Sequence, residues 1–145
     1  LAARLKDQAP DREWTGIVAV TMGGMVPACL VAKRLGIKHI ETYCFSSYEG
    51  QVQGSAHVLK TADLAAGGAG WLVIDDLTDT GKTFRHLRKT LPEAYYATLY
   101  VKPEGAEMAQ SYAEEIPQET WIHFPWELAE KAETETEIRA GLEKL

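Results

Sequence analysis

The sequence predicts a mainly parallel α/β sheet flanked by helices. Three observations carry that expectation. Two runs that read as strands, Ile17-Val18-Ala19-Val20 and Trp71-Leu72-Val73-Ile74, are apolar on both faces, as in a sheet covered by helices on each side. Between the first strand and the next lies a helical pattern, Ala28, Val31, Ala32 and Leu35, spaced to bury one face. Finally, paired glycines and adjacent acids fall where predicted strands end, the place where open α/β sheets bind ligands.

The elements follow in order. Leu1 to Leu5 reads as the end of a helix, and Gln8 to Arg12 as a loop. Trp14 to Val20 is a strand. Thr21-Met22-Gly23-Gly24-Met25-Val26-Pro27 follows, with glycines that permit close approach of a ligand and a proline suited to a first helical turn. Gly36 is a natural helix stop. Ile37 to Ser47 is the next strand, rich in β-branched and aromatic residues, which completes one βαβ unit. Tyr48 to Ser55 is polar with no core pattern, a candidate mobile loop. His57 to Lys60 reads as a short strand, and Ala65 to Gly70 as a glycine-rich connection to the central strand. Beyond it, Phe84, Leu87 and Leu91 form a helix face that Pro92 ends. Tyr95 to Val101 is a strand closed by Lys102-Pro103. Met108 to Ile116 fits neither period. Trp121 to Trp126 is an aromatic cluster, and Glu127 to Leu145 is acidic and helix-prone. No internal repeat appears, and residues 1–145 read as a single domain.

Composition narrows the function. With 46% apolar and 25% charged residues over 145 positions, the chain has the balance of a globular protein with a proper core. A net charge of -6 argues against a nucleic-acid binder, which needs a basic face. No apolar run approaches the ~20 residues that span a bilayer, and no basic-then-apolar leader is present; peripheral membrane association stays open. Cys29 and Cys44 read as core thiols in a reducing cytoplasm. The four histidines are scattered and read as surface or supporting residues.

The central strand runs into Asp75-Asp76-Leu77-Thr78-Asp79-Thr80-Gly81-Lys82-Thr83. Three acids within five residues repel one another and resist burial, so they point to a metal or a polyhydroxyl ligand. The alternatives are solvated turn acids or a phospho-acceptor site. Asp79 to Thr83 has the makings of an anion cradle of backbone N–H groups and hydroxyls; the alternative is an ordinary helix start capped by Thr80 or Thr83. Gly81-Lys82-Thr83 is not a P-loop, because Asp76 stands where that motif needs glycine.

As a whole, Val73 to Thr83 resembles the phosphoribosyl pyrophosphate signature of type I phosphoribosyltransferases. Further stretches are similar, in the same order, to the bacterial xanthine-guanine branch of that family. They are Ile17 to Pro27, Ser46-Ser47-Tyr48, Val58-Leu59-Lys60, Val101-Lys102-Pro103, Ile116 to Ile122 and Pro125-Trp126-Glu127. The similarity spans about Trp14 to Glu127; the acidic tail from 128 to 145 does not share it.

The resemblance implies a type I phosphoribosyltransferase fold with a small hood and a flexible loop. It implies a purine-salvage enzyme that transfers phosphoribose from phosphoribosyl pyrophosphate to N9 of guanine or xanthine, with hypoxanthine as a further base, and uses Mg²⁺. Asp75 and Asp76 would serve the ribose, with Asp76 on the metal and Glu127 as a second candidate. Asp79 would be the catalytic residue near purine N7, as general base or charge stabiliser, and Asp79, Thr80, Gly81, Lys82 and Thr83 would hold the 5′-phosphate. Lys102 would face the purine O6, Trp121 would stack on the base, and the Ile122 backbone would read the 2-substituent. Thr21, Met22, Gly23 and Gly24 would form the pyrophosphate loop, with a non-proline cis peptide at Thr21–Met22. Ser47 and Tyr48 would open the flexible loop. A cytoplasmic homo-oligomer, dimer or tetramer, is implied as well.

Two positions depart from the family. Met22 stands where an arginine is usual and has no hydrogen to donate, although the amides of Met22, Gly23 and Gly24 remain as donors. Lys82 replaces a common glycine. Met22 motivates the alternative of a non-catalytic, nucleotide-binding relative with a regulatory role.

Overall fold

The computed structural model describes residues 1–46 and 57–126. Helix α1 (Ala2–Gln8) leads into β1 (Gly16–Thr21), α2 (Met25–Leu35) and β2 (Ile40–Ser46). Then come β3 (His57–Lys60), β4 (Trp71–Thr78), α3 (Lys82–Leu87), β5 (Tyr95–Val101) and β6 (Ser111–Glu115). The six strands form one sheet in the order β3-β2-β1-β4-β5-β6. All neighbours are parallel except the β2–β3 pair. The chain order reverses between β1 and β4, which makes their carboxyl ends the switch point where such sheets open a crevice.

Alternation along the central strands builds two cores. Ile17, Ala19, Leu72 and Ile74 pack with Leu5 of α1 and with Ala28, Val31 and Ala32 of α2. Val18, Val20, Trp71 and Val73 pack on the other face with Phe84, Leu87, Leu91 and Tyr96. Because successive strand residues point to opposite faces, a continuous apolar run is what a doubly covered strand requires.

Four expectations need correction. Strand β2 begins at Ile40, because Ile37 closes the preceding helix: its N–H donates to Ala32 O at 2.9 Å, beyond the left-handed Gly36. Helix α3 ends at Leu87, where Thr90 Oγ1 donates to the Leu87 carbonyl and competes with the helical pattern; Leu91 is still buried. Strand β4 continues to Thr78, so the acids lie within it, held there by pairing of Asp75 with Thr98 and Thr78 with Val101. The cysteines are not core thiols, since Cys29 is exposed on the outer side of α2 and Cys44 is half-buried. The stretch without a period, 108–116, contains the edge strand β6. The Tyr48 to Ser55 loop, Ser47, Glu127 and the acidic tail lie outside the described residues. Among those described, no helix is long and apolar enough to cross a membrane.

Candidate active site

The glycine loop after β1 and the acids of β4 meet at the switch point. The Thr21–Met22 peptide is cis. Gly23 packs so close to Asp76 that a methyl group there would stand 2.3 Å from Asp76 Oδ2. A methyl on Gly24 would strike the carbonyl oxygens of Ile74 and Val20 at 2.3 and 2.7 Å. The glycine pair therefore serves close approach of backbone to backbone and to a carboxylate. The Gly24 N–H donates to Val20 O at 2.8 Å, so of the three loop amides expected for an anion, Gly24's is already taken and Met22 and Gly23 remain. The Met22 side chain is 80% exposed.

Asp75 and Asp76 are adjacent on a strand and so project to opposite faces of the sheet. Asp76 turns toward the glycine loop. Asp75 lines a cavity of about 90 Å³ on the α3 side, shared with Thr78, Asp79, Thr80, Gly81, Lys82 and Thr83. Both acids are only 8% exposed. Burial, and secondly the negative charge of Asp76, hold the Asp75 carboxyl well above the usual carboxylate range. The Asp76 N–H donates to Asp75 Oδ1 at 3.0 Å. Trp126 Nε1 donates to Asp76 Oδ2 at 3.2 Å, with the indole stacked on Phe124. The segment after β6 thus folds back across the carboxyl ends of the strands.

The turn from Asp79 to Thr83 is not an ordinary capped helix start. Gly81 occupies the cap position at φ 72°, and no side chain caps the helix. That leaves the hydroxyls of Thr80 and Thr83 unspent at the cap. The Thr78 hydroxyl, buried at the cavity wall, has no partner among the described residues. Buried hydroxyls normally find one, so this wall suits a ligand rich in oxygen. With its six residues α3 carries little dipole, and the local amides and hydroxyls would do the binding.

On the β5 side, Lys102 is 6% exposed, and its Nζ lies 3.3 Å from Asp79 Oδ1. Its N–H donates to Thr78 O at 3.0 Å, which locks the end of β5 to β4. Gln118 Nε2 also reaches Asp79 Oδ1, at 2.7 Å. Trp121 is 80% exposed and Ile122 half-buried. The structure therefore brings together the glycine loop, both strand acids, the turn and Lys102. Gln118 and Trp126 carried no assigned role in the sequence. The only sign of them was membership in the stretches Ile116 to Ile122 and Pro125 to Glu127 that resemble the family. Among the described residues, no group of three or more His, Cys, Asp or Glu side chains is placed to hold a metal.

An acidic strand end at the switch point of a parallel sheet, continued by an uncapped turn, is the arrangement of type I phosphoribosyltransferases. The chain belongs to the phosphoribosyl transferase domain family, whose model matches residues 1–133. The xanthine-guanine phosphoribosyltransferase of Chromohalobacter salexigens is 47% identical over 121 residues, covering 83% of this chain and 74% of that protein. The fold is that of the Helicobacter pylori xanthine-guanine-hypoxanthine phosphoribosyltransferase, at TM-score 0.73 and 20% identity, covering 90% and 88% of the two chains. A purine phosphoribosyltransferase of Pyrococcus horikoshii matches at TM-score 0.72 and 24% identity over 87% and 83%.

Proposed function

We propose that this enzyme transfers the phosphoribosyl group of phosphoribosyl pyrophosphate to N9 of guanine or xanthine, and also of hypoxanthine, with Mg²⁺, in purine salvage. The observation that carries the proposal is the uncapped turn, whose threonines line the same cavity as Asp75. A 5′-phosphate fits the turn, and a ribose diol fits the neighbouring acids.

The donor set also fits a hard cation. Carboxylate oxygens suit Mg²⁺, which keeps few protein ligands and binds largely through substrate oxygens and water. Asp76 would hold it, and Glu127 is the second candidate. When bound, the ion offsets negative charge on the departing pyrophosphate.

This chain's own residues do the rest. The C1′–oxygen bond breaks, pyrophosphate leaves with the electron pair, and positive charge develops at C1′ as N9 closes on it. Asp75 and Asp76 fix the ribose hydroxyls beside that charge. The amides of Met22 and Gly23 receive pyrophosphate oxygens. Lys102 donates to O6, which selects 6-oxopurines, because the adenine 6-amino group is no acceptor there. Asp79 takes the proton that the purine loses, a task that calls for a carboxylate within hydrogen-bond reach. Trp121 is exposed, so a base has access to its ring face. Ser47 and Tyr48 open the loop expected to close over the substrates, and closure would keep water from the sugar donor. We place the enzyme in the cytoplasm as a homo-oligomer.

Nucleotide formation from guanine, xanthine or hypoxanthine with the sugar donor and Mg²⁺ tests the proposal; no product from any base refutes it. Met22, which has no hydrogen to donate, favours one competing reading, a nucleotide-binding relative without turnover. Calorimetry separates the two, since that relative binds nucleotide but has no measurable affinity for pyrophosphate.

A further inference from the structure

Gln118 sits half-buried in the segment after β6 and takes no step in the scheme above. Its side-chain amide joins three pieces of chain. Nε2 donates to Asp79 Oδ1 at 2.7 Å, and Oε1 accepts from the Glu104 N–H at 3.1 Å. Asp79 belongs to the turn after β4. Glu104 follows Lys102-Pro103 at the end of β5. Gln118 itself shortly precedes Trp121 and Ile122. These are the three segments that face a purine under the proposed function.

The neighbours dictate the residue type. A carboxylate oxygen takes only a donor, and a backbone N–H takes only an acceptor. A glutamine amide offers both at the needed length. Lys102 Nζ approaches the same Oδ1 from 3.3 Å, so Gln118 is the nearer of two donors on one oxygen. A buried ammonium seeks the strongest acceptor within reach. Without Gln118, Asp79 Oδ1 would fall entirely to Lys102, and the lysine would be drawn away from a base.

We infer that Gln118 is a positioning residue for the purine side of the site: it holds Asp79 Oδ1 and ties the 104 and 118–122 segments together, leaving Lys102 available to O6. The inference rests on the roles proposed for Asp79 and Lys102. Gln118 would touch no substrate atom, and of the turn proposed for the 5′-phosphate it meets only the Asp79 carboxylate, not the amides and hydroxyls of Thr80 to Thr83. Its loss should therefore be felt far more by the base than by the sugar donor.

Two substitutions test this. Gln118→Met removes both hydrogen bonds at nearly constant length. Gln118→Glu keeps the shape but sets a second carboxylate against Asp79. Steady-state kinetics with guanine, phosphoribosyl pyrophosphate and Mg²⁺, on protein shown to be folded by circular dichroism, give the readout. For Gln118→Met the guanine KM rises about tenfold, the loss of a hydrogen bond to a charged group, while the sugar-donor KM stays within about twofold. Gln118→Glu loses about a hundredfold in kcat/KM for guanine, because the donor becomes a like charge. A merely structural role would not separate the two KM values. The inference is overturned if Gln118→Met matches the wild type within about twofold for both substrates, or raises both KM values equally. An active wild type with an unchanged variant sinks this inference alone; an inactive wild type sinks the proposed function and this inference with it. Should Gln118→Glu fail to fold, Gln118→Met decides.

Discussion

Substituting Gly23 by alanine probes the contact on which the switch point is built. The added methyl would lie 2.3 Å from Asp76 Oδ2 and 2.5 Å from its Cγ and Oδ1. Unstrained contacts begin near about 3.5 Å, so the carboxylate or the loop must retreat by about 1 Å. Asp76 has little room to do so, being 8% exposed and bonded to Trp126. Overpacking of this kind costs about 1–3 kcal/mol of stability. A displacement of about 1 Å at a reacting centre costs on the order of a hundredfold in rate. Gly36→Ala is the matched control. Gly36 has φ 73° and nothing within 4 Å of an added methyl, so its cost is conformational, about 1–2 kcal/mol. Both variants should melt lower, by roughly 3 °C per kcal/mol. Only Gly23→Ala should lose about a hundredfold in kcat/KM for the sugar donor. If the two variants show equal kcat/KM, the Gly23–Asp76 contact has no part in catalysis.

Three further predictions follow from the same geometry. Asp79→Asn lowers kcat by about 10²–10⁴-fold, the range for loss of a general base, with modest change in nucleotide affinity; near-normal turnover in a stopped assay removes Asp79 from that role. Met22→Arg adds a charged donor beside the Met22 and Gly23 amides and lowers the sugar-donor KM by about tenfold; an unchanged KM shows that the backbone already suffices. Asp75→Asn keeps the acceptor for the Asp76 N–H and removes a buried charge. Because folding raises the Asp75 pKa above its ordinary value of 3.8, the folded state holds that proton more tightly than the unfolded state does. The stability this gives is full below the unfolded value and is lost as pH rises through the folded one. In EDTA the melting temperature of Asp75→Asn should therefore exceed that of the wild type by a margin that grows from about pH 4 upward; a constant or shrinking margin refutes the assignment.

Much of this was legible in the order of residues, because the signals are short-range. The apolar runs on β1 and β4 announced a sheet covered on both faces, and Ala28, Val31, Ala32 and Leu35 gave the buried stripe of α2. The acids, hydroxyls and glycine from Asp75 to Thr83 stood out as one cluster, since the chain itself holds them within one strand end and one turn. The glycine loop, the left-handed Gly36 and the cis peptide fell where expected as well.

What only the tertiary structure decided depends on partners far away in sequence. Strand β4 runs past its apolar core because β5 offers backbone groups to pair with Asp75 and Thr78. Pairing of that kind is not written in β4 itself. The strand alternation that follows sends Asp75 and Asp76 to opposite faces, one to the turn and one to the glycine loop. Gly24's amide is taken by Val20, a bond visible only once the loop has a shape. Gln118 reaches Asp79 across 39 residues and Trp126 reaches Asp76 across 50. Neither contact leaves a periodic trace, because a single side chain crossing between elements obeys the geometry of the packed sheet and not the repeat of its own segment.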